Sequence, residues 1–415
     1  QTYANRSVDI DQFRSYTFEL RLKKRYQVGK ISNSFTAGIR AFNNVLWRRQ
    51  LGKGTTFTDF DLSVEPNSFK RDLKFHSQSL ALSVENAINM SPGFTISPGF
   101  RYEIGNTASY GSISYLLSDS IPRTIHHNIP ALGLSTRYKP NSMGGEFIAG
   151  VSQAHRPVIF KDIIPGSALE RTARGLKDAR GYNAEINYSR THFLISKKQQ
   201  SASSQKQQHQ CIQYSLSLYQ TQYNNRMGNW VMFDSLNAVN YIQKTNIGNS
   251  RTRGFECLLK YELGSTNKQR EFSIVNATAI QQAKYLQATA IVGGKNTSIA
   301  GNHVEGVPVV ISRTSLNFQH KQLRATLLYS YVSAQFSDAA NTVAISANGS
   351  VGKVPSYGLV DLNWTYAINK NFQIRGSVNN LLNKQYYTKR PTMYPGPGIW
   401  PSDGRGFCLG LTLQF

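Results

Sequence analysis

The sequence predicts an all-β fold, an antiparallel transmembrane β-barrel with about 15 strands in this chain. Three observations lead there. Apolar and polar residues alternate with period two in one segment after another. The connections between those segments alternate between short and long. The 415 residues contain no apolar run of roughly 20 residues that could cross a bilayer as a helix, although Tyr (22) and Phe (21) are plentiful and only 17% of residues are charged. A membrane protein without such a run has to be a closed sheet, because lipid offers the backbone no hydrogen-bond partner. A polar average composition is compatible with this, since only alternate wall residues face lipid and the loops are polar.

The alternation is clear from the start of the chain to its end. Phe18, Leu20 and Leu22 oppose Glu19, Arg21 and Lys23; Ile212, Tyr214, Leu216 and Leu218 oppose Gln213, Ser215 and Ser217. Phe255, Cys257, Leu259 and Tyr261 oppose Glu256, Leu258 and Lys260; Val360, Leu362, Trp364 and Tyr366 oppose Asp361, Asn363 and Thr365. The pattern is cleanest in the last segment, where Phe407, Leu409, Leu411, Leu413 and Phe415 oppose Gly406, Cys408, Gly410, Thr412 and Gln414. About ten residues of this kind fit one tilted membrane strand, and the charged face has to line a watery or plugged lumen. Strands are expected near residues 16–24, 34–43, 77–88, 94–104, 129–138, 144–152, 180–190, 211–222, 251–262, 271–284, 309–319, 322–332, 356–367, 372–380 and 406–415.

Short connections are expected at Gln27–Ser32, Met90–Gly93, Lys139–Met143, His320–Lys321 and Ile368–Lys370. Long ones are expected at Arg48–Phe75, Asn106–Asn128, Gln153–Asp178, Tyr223–Asn249, Lys284–Val307, Ser333–Pro355 and Leu382–Arg405. Short periplasmic turns and long outer loops are the outer-membrane arrangement. Lys197–Gln210 breaks the rule, and its Gln/Ser/Lys composition reads as a disordered insertion. The last strand runs inward and, counting back, so does the first. A single-chain bacterial barrel has an even number of strands, so N-terminal strands are expected beyond Gln1. No basic region followed by an apolar stretch opens the chain, so an export signal is expected to lie elsewhere as well.

The net charge of +24, from Lys+Arg 47 against Asp+Glu 23, favours anionic partners. The excess is spread along the chain and no nucleic-acid motif accompanies it, so nucleic acid is not an expected partner. Cys211, Cys257 and Cys408 have no metal spacing and form no disulfide framework. Among the histidines, including the adjacent His126 and His127 and the separate His155, His303 and His320, there is no metal or catalytic spacing. Neither an enzymatic activity nor a cofactor is expected. Trp47, Tyr102, Tyr138, Tyr188, Tyr331 and Trp364 sit at strand ends and read as interfacial girdles.

Several loop motifs carry a resemblance. Phe336-Ser-Asp-Ala-Ala-Asn-Thr-Val343 with Ser346-Ala-Asn-Gly-Ser-Val-Gly-Lys-Val-Pro355, Asn379-Asn-Leu-Leu-Asn-Lys-Gln-Tyr386, Tyr394-Pro-Gly-Pro-Gly-Ile399 and Pro401-Ser-Asp-Gly-Arg405 are among them. Arg156-Pro157, Tyr223-Asn-Asn225 and Ser250-Arg-Thr-Arg-Gly-Phe-Glu256 add to these. In these residues the chain resembles TonB-dependent outer-membrane receptors, and within them the ferric-dicitrate-receptor-like branch. The resemblance implies a 22-stranded barrel of which this chain, residues 1–415, is the C-terminal part, with the plug absent. It implies a bacterial outer-membrane receptor for a ferric chelate, of citrate or siderophore type, energised through TonB, which would be reached only through the missing N-terminal part. Outer-membrane lipid and lipopolysaccharide are the other expected partners.

Ferric citrate is a compact polyanion, and its capture requires guanidinium or ammonium donors converging above the lumen. Seven arginines on loops or outer strand ends are candidates: Arg48, Arg49, Arg71, Arg156, Arg226, Arg390 and Arg405. In similar receptors an arginine at the place of Arg48 and Arg49 contacts the ligand, and the place of Arg226 offers a polar contact. Each one alone reads first as a solvated or lipopolysaccharide-contacting cation, and only as a group do they point to an anion site. Position separates these readings, because a ligand-binding arginine has to point inward. The alternatives to a receptor are a truncated or split-gene barrel fragment with a structural role or none in transport, and a passive porin.

Overall fold

The computed structural model describes residues 4–56, 60–116, 124–140, 144–197, 208–235, 238–265, 270–392 and 397–414. It is a 17-stranded sheet in which two short strands, Glu170–Thr172 and Lys295–Ser298, decorate a wall of the remaining fifteen. The wall strands are β1 (Ser7–Val28), β2 (Ile31–Lys53), β3 (Arg71–Ser91), β4 (Phe94–Ile113), β5 (Thr124–Tyr138), β6 (Gly145–Arg156) and β7 (Ala179–Lys197). They continue with β8 (Gln208–Asp234), β9 (Val239–Ser265), β10 (Arg270–Val292), β11 (Val310–His320), β12 (Leu323–Val332), β13 (Tyr357–Ala367), β14 (Phe372–Asn379) and β15 (Gly406–Leu413). Each pairs antiparallel with its predecessor in the chain. Among the described residues, β1 and β15 each have one neighbouring wall strand. The only helix among the described residues is the single turn Phe160–Ile163.

Register assigns a face to every residue. Directly paired residues share a face, and successive residues alternate. Leu20, Ile39, Leu82, Tyr102 and Pro130 form one row across β1 to β5. The next row is Arg21, Gly38, Ser83, Arg101 and Ala131. The first face is the apolar exterior and the second the polar interior, where Arg101 Nη2 pairs with Glu103 at 2.6 Å and Lys260 with Glu262 at 2.9 Å. Phe407, Leu409 and Leu411 are 75%, 70% and 66% exposed, a surface left for lipid to cover. Trp47, Tyr102, Tyr138, Tyr188, Tyr331 and Trp364 all fall on the exterior rows.

One exterior site departs from the apolar pattern. Asn276, Thr278, Ser312 and Thr314 lie between Ile274 and Ile280 on the lipid side. They satisfy one another: Asn276 Nδ2 donates to Ser312 (3.3 Å) and Thr314 (2.9 Å), and Thr278 donates to Asn276 Oδ1 (2.9 Å). Polar groups in lipid are tolerated when their hydrogen bonds close internally.

The strands are longer than a membrane requires. β8 and β9 each run for 27 residues, against the roughly 9–11 a tilted strand needs to span the hydrocarbon core. Tyr223–Asn249, read from the sequence as a long loop, is therefore a β-ribbon, and Arg226 sits on a strand. The register slips at Asn246/Gly248 and Gly248/Ser250, which interrupts the alternation while the ladder continues. The outer ends of β2, β3, β4 and β10 likewise extend into segments read as loops. The expected insertion at Lys197–Gln210 falls mostly on residues 198–207, and the Tyr394–Gly398 motif largely on 393–396, outside the described residues.

Leu327 faces outward between Leu316 and Leu362, whereas Thr326 faces inward between Asn317 and Asn363. Leu327→Arg is expected to cost about 2–4 kcal/mol of folding free energy in lipid vesicles, the range for a cation near the midplane, and Thr326→Arg well under half of that. Chemical denaturation of the two variants in vesicles checks this; the reverse order would invert the register.

Candidate functional site

The outer mouth is built where long strands rise above the membrane and loops fold back onto their inner faces. Residues 157–178, between β6 and β7, turn inward and place Val158 and Phe160 against Leu73, Phe75 and Ile113 of β3 and β4. The rings of Phe75 and Phe160 lie 4.5 Å apart. All five residues are at most 6% exposed, and burying a large apolar side chain contributes roughly 1.5–3 kcal/mol. Asp178 fixes the loop's entry by accepting from the Val158 amide (2.9 Å).

Basic side chains grip this loop. Arg71 donates through Nη2 to the Gly166 carbonyl (3.0 Å) and through Nε to the Tyr115 hydroxyl (2.5 Å), over whose ring it lies. Arg156 pairs with Asp162 (2.7 Å) and approaches the Met227 sulfur (3.7 Å). Lys244 donates to the Ile164 carbonyl (2.8 Å) and lies 3.8 Å from Glu170. Arg71, Arg156 and Lys244 are thereby brought together around one inward-folded segment. Met227 packs on the same apolar cluster, whereas its neighbour Arg226 makes its contacts with Ser250 and Tyr285.

Arg226 follows Asn225, whose φ of 57° marks the bend in the ribbon. Across from it, Gly248 has φ 141°, and a Cβ there would stand 1.8 Å from the Gln287 carbonyl oxygen, so the bulge requires glycine. The Arg226 guanidinium donates to the Ser250 hydroxyl (3.0 Å) and lies 5.4 Å from the centre of the Tyr285 ring. Tyr285 is 2% exposed and donates to Glu305 (2.8 Å). Burial, reinforced by the Glu305 charge, raises its phenol above the ordinary value, so it stays a proton donor at neutral pH. Tyr285 anchors a second apolar cluster with Ala283, Ala288, Ile299 and Val304, formed as residues 293–309 fold inward.

The last three outer loops are locked together. His303 and Asn341 exchange two hydrogen bonds (2.7 and 2.8 Å), Asn302 donates to the Ala339 carbonyl (2.9 Å), and Gln335 to that of Thr388 (3.3 Å). Arg390 is 7% exposed and completes the lock. It donates to the Gly349 carbonyl (2.7 Å), the Lys353 carbonyl (3.4 Å) and the Tyr387 hydroxyl (2.5 Å). Arg405 is exposed, and its backbone amide donates to Asn383 (3.0 Å).

Arg48 and Arg49 part company. Arg48 shares the inner face with Leu73 and holds Asp11 with two hydrogen bonds (3.0 and 2.7 Å), which raise its already high pKa further. Arg49 is on the outer face and stacks over Trp47 (4.3 Å) and Phe69 (5.1 Å). An outward Arg49 cannot meet a ligand in the lumen. Lys244, Tyr115 and Tyr285 had gone unnoticed in the sequence, because the segments carrying them offered no signal beyond a basic or aromatic residue in a long connection.

The comparison with curated proteins finds no match. Among solved structures, the chain is similar to the ferric citrate transporter FecA in its unliganded form, with a TM-score of 0.71 at 16% identity over 98% of this chain and 55% of that one. It is similar to the siderophore receptor PiuA from Acinetobacter baumannii, with a TM-score of 0.69 at 16% identity over 98% and 56%. The copper transporter OprC gives 0.67 at 15% identity over 98% and 59%. The chain spans about half the length of these structures, and at such identity the likeness is one of fold. The family model described as TonB dependent receptor-like, beta-barrel matches residues 1–381, and the chain belongs to that family.

Proposed function

We propose that this chain forms the barrel wall of a bacterial outer-membrane receptor that takes up an anionic ferric chelate, of citrate type, with energy delivered through TonB. The observation that carries the reading is the convergence of Arg71, Arg156 and Lys244 on one inward-folded loop, with Arg226 held separately by Ser250 and the Tyr285 ring. Guanidinium groups match carboxylates in geometry as well as charge. Their present partners are mostly carbonyls and hydroxyls, which a polyanion can replace. The motifs shared with the ferric-dicitrate branch, and the likeness to a ferric citrate transporter, support the same class of cargo. TonB would act through a part of the receptor other than this wall.

Arg48, bound to Asp11, and Arg390, spent on carbonyls, serve as staples in this reading, and Arg49 faces away. Arg405 is exposed beside the final loop and stays a candidate. In the complete receptor, Arg71→Ala and Arg226→Ala are each expected to weaken ferric dicitrate binding by about 1.5–3 kcal/mol, the scale of a hydrogen bond to a charged group. The loss should shrink at high salt, and Arg49→Ala should bind as wild type. Titration with ferric dicitrate checks this; a wild-type receptor that binds no ferric chelate, or Arg71 and Arg226 variants that bind normally, would refute it.

Arg390→Met tests the staple separately. Losing its bonds to the Gly349 and Lys353 carbonyls should cost about 1.5–3 kcal/mol of local stability and speed proteolytic cleavage within residues 380–405. Cleavage at the wild-type rate would remove Arg390 from that role.

A further inference from the structure

The polar island on the lipid face of β10 and β11 closes on itself with one proton left over. Asn276 spends both Nδ2 protons, on Ser312 (3.3 Å) and Thr314 (2.9 Å). Thr278 gives its single hydroxyl proton to Asn276 Oδ1 (2.9 Å), so in its 2.8 Å contact with Ser312 the serine is the donor. Thr314 remains. Its hydroxyl accepts from Asn276 and, among the described residues, has no acceptor for its own proton. Asn276 Oδ1 accepts one hydrogen bond and keeps a second lone pair.

The position of the island makes that proton costly. Ile274, Leu316 and Phe318 continue the exterior on the periplasmic side of the island, and Ile280 and Phe255 continue it on the outer side. Each of the five is between 37% and 47% exposed, so hydrocarbon covers the island from both directions. A donor without an acceptor there forfeits a hydrogen bond that water would supply elsewhere. The same face of β3 and β4 carries Leu80, Leu82, Val84, Phe100, Tyr102 and Ile104, a surface that lipid alone satisfies.

We propose that the island is the point at which a second copy of this receptor docks side by side in the membrane. Two copies in one bilayer share their orientation, so the twofold axis relating them stands along the membrane normal. Rotation about that axis preserves height, and the island of one copy meets the island of the other. Its hydrogen-bonding groups are self-complementary. The spare proton of Thr314 meets the spare lone pair of Asn276 of the partner subunit, and the twofold repeats the bond. An acyl chain offers no acceptor, and in lipid the burial of apolar surface supplies no drive, so hydrogen bonds between spans carry association. Cys257 of β9 pairs directly with Thr278 and shares its outward face, which places a thiol at the edge of the contact. The island faces lipid and the mouth faces the lumen, so the contact stands or falls independently of the cargo.

The test uses the complete receptor in outer-membrane vesicles, treated with a short bis-maleimide. Cys211 pairs with Glu262 and Cys408 with Ser377 on the inner face, so Cys257 is the thiol of this chain turned toward a neighbour in the bilayer. A cross-linked species of twice the receptor's mass is expected, and Cys257→Ser should remove it. The variant Asn276→Leu/Thr278→Val/Ser312→Ala/Thr314→Val makes the wall wholly apolar there. It should keep the heat-modifiable mobility of a folded barrel while the cross-linked fraction falls about tenfold. Leu82→Cys on the Cys257→Ser background places a thiol on the exterior of β3, reports random collision, and should give no dimer. Absence of the double-mass species, an unchanged yield in the apolar variant, equal cross-linking at position 82, or an adduct of Cys257 with a different protein overturns the proposal.

Discussion

Everything in this structure depends on the need to satisfy backbone hydrogen bonds where water is absent. In the hydrocarbon core an unpaired N–H or C=O costs several kcal/mol, so the chain crosses only as paired strands. Pairing fixes register, and register fixes which side of the wall each residue faces. A one-residue slip would put Arg21, Arg101 and Glu103 into lipid and Leu20, Leu82 and Tyr102 into the lumen. The same ladder continues above the membrane, where no bilayer demands it, and carries the sorting into inner and outer faces up to the mouth.

That sorting explains why the basic residues do different work. Arg71, Arg156 and Lys244 face inward and hold an inward-folded loop through carbonyls and carboxylates. Arg49 faces outward over Trp47 and joins Arg14 and Lys74 above the apolar exterior. These basic residues are thus divided between the two faces of the wall. The loops add a second level of order. Two apolar clusters under inward-folded segments make the mouth a packed structure, and Arg390 joins the loops after β12 and β14 into one body.

Much of the fold was legible in the sequence for a simple reason: a wall strand is selected for period two along its whole membrane crossing. The expected strands at 309–319, 322–332, 356–367 and 372–380 agree with Val310–His320, Leu323–Val332, Tyr357–Ala367 and Phe372–Asn379 to within a residue. Above the membrane the selection relaxes. Bulges at Gly248 and around Asn225 break the alternation, and the ribbon from Tyr223 to Asn249 looked like a loop. The polar island at Asn276, Thr278, Ser312 and Thr314 shows the converse, an exterior site whose hydrogen bonds close only across two strands.

By itself the sequence determined the β-barrel class, the approximate places of the fifteen wall strands and the two faces of those in which the alternation is clear, because these follow from local alternation and from the lengths of connections. Which candidate arginines share a site was decided only by the tertiary structure. Arg48 and Arg49 are neighbours in sequence yet face opposite sides, and Arg71 and Lys244 are far apart yet hold the same loop. A cation's role depends on the carbonyls, carboxylates and rings that folding brings to it, and those contacts span strands that no local pattern relates.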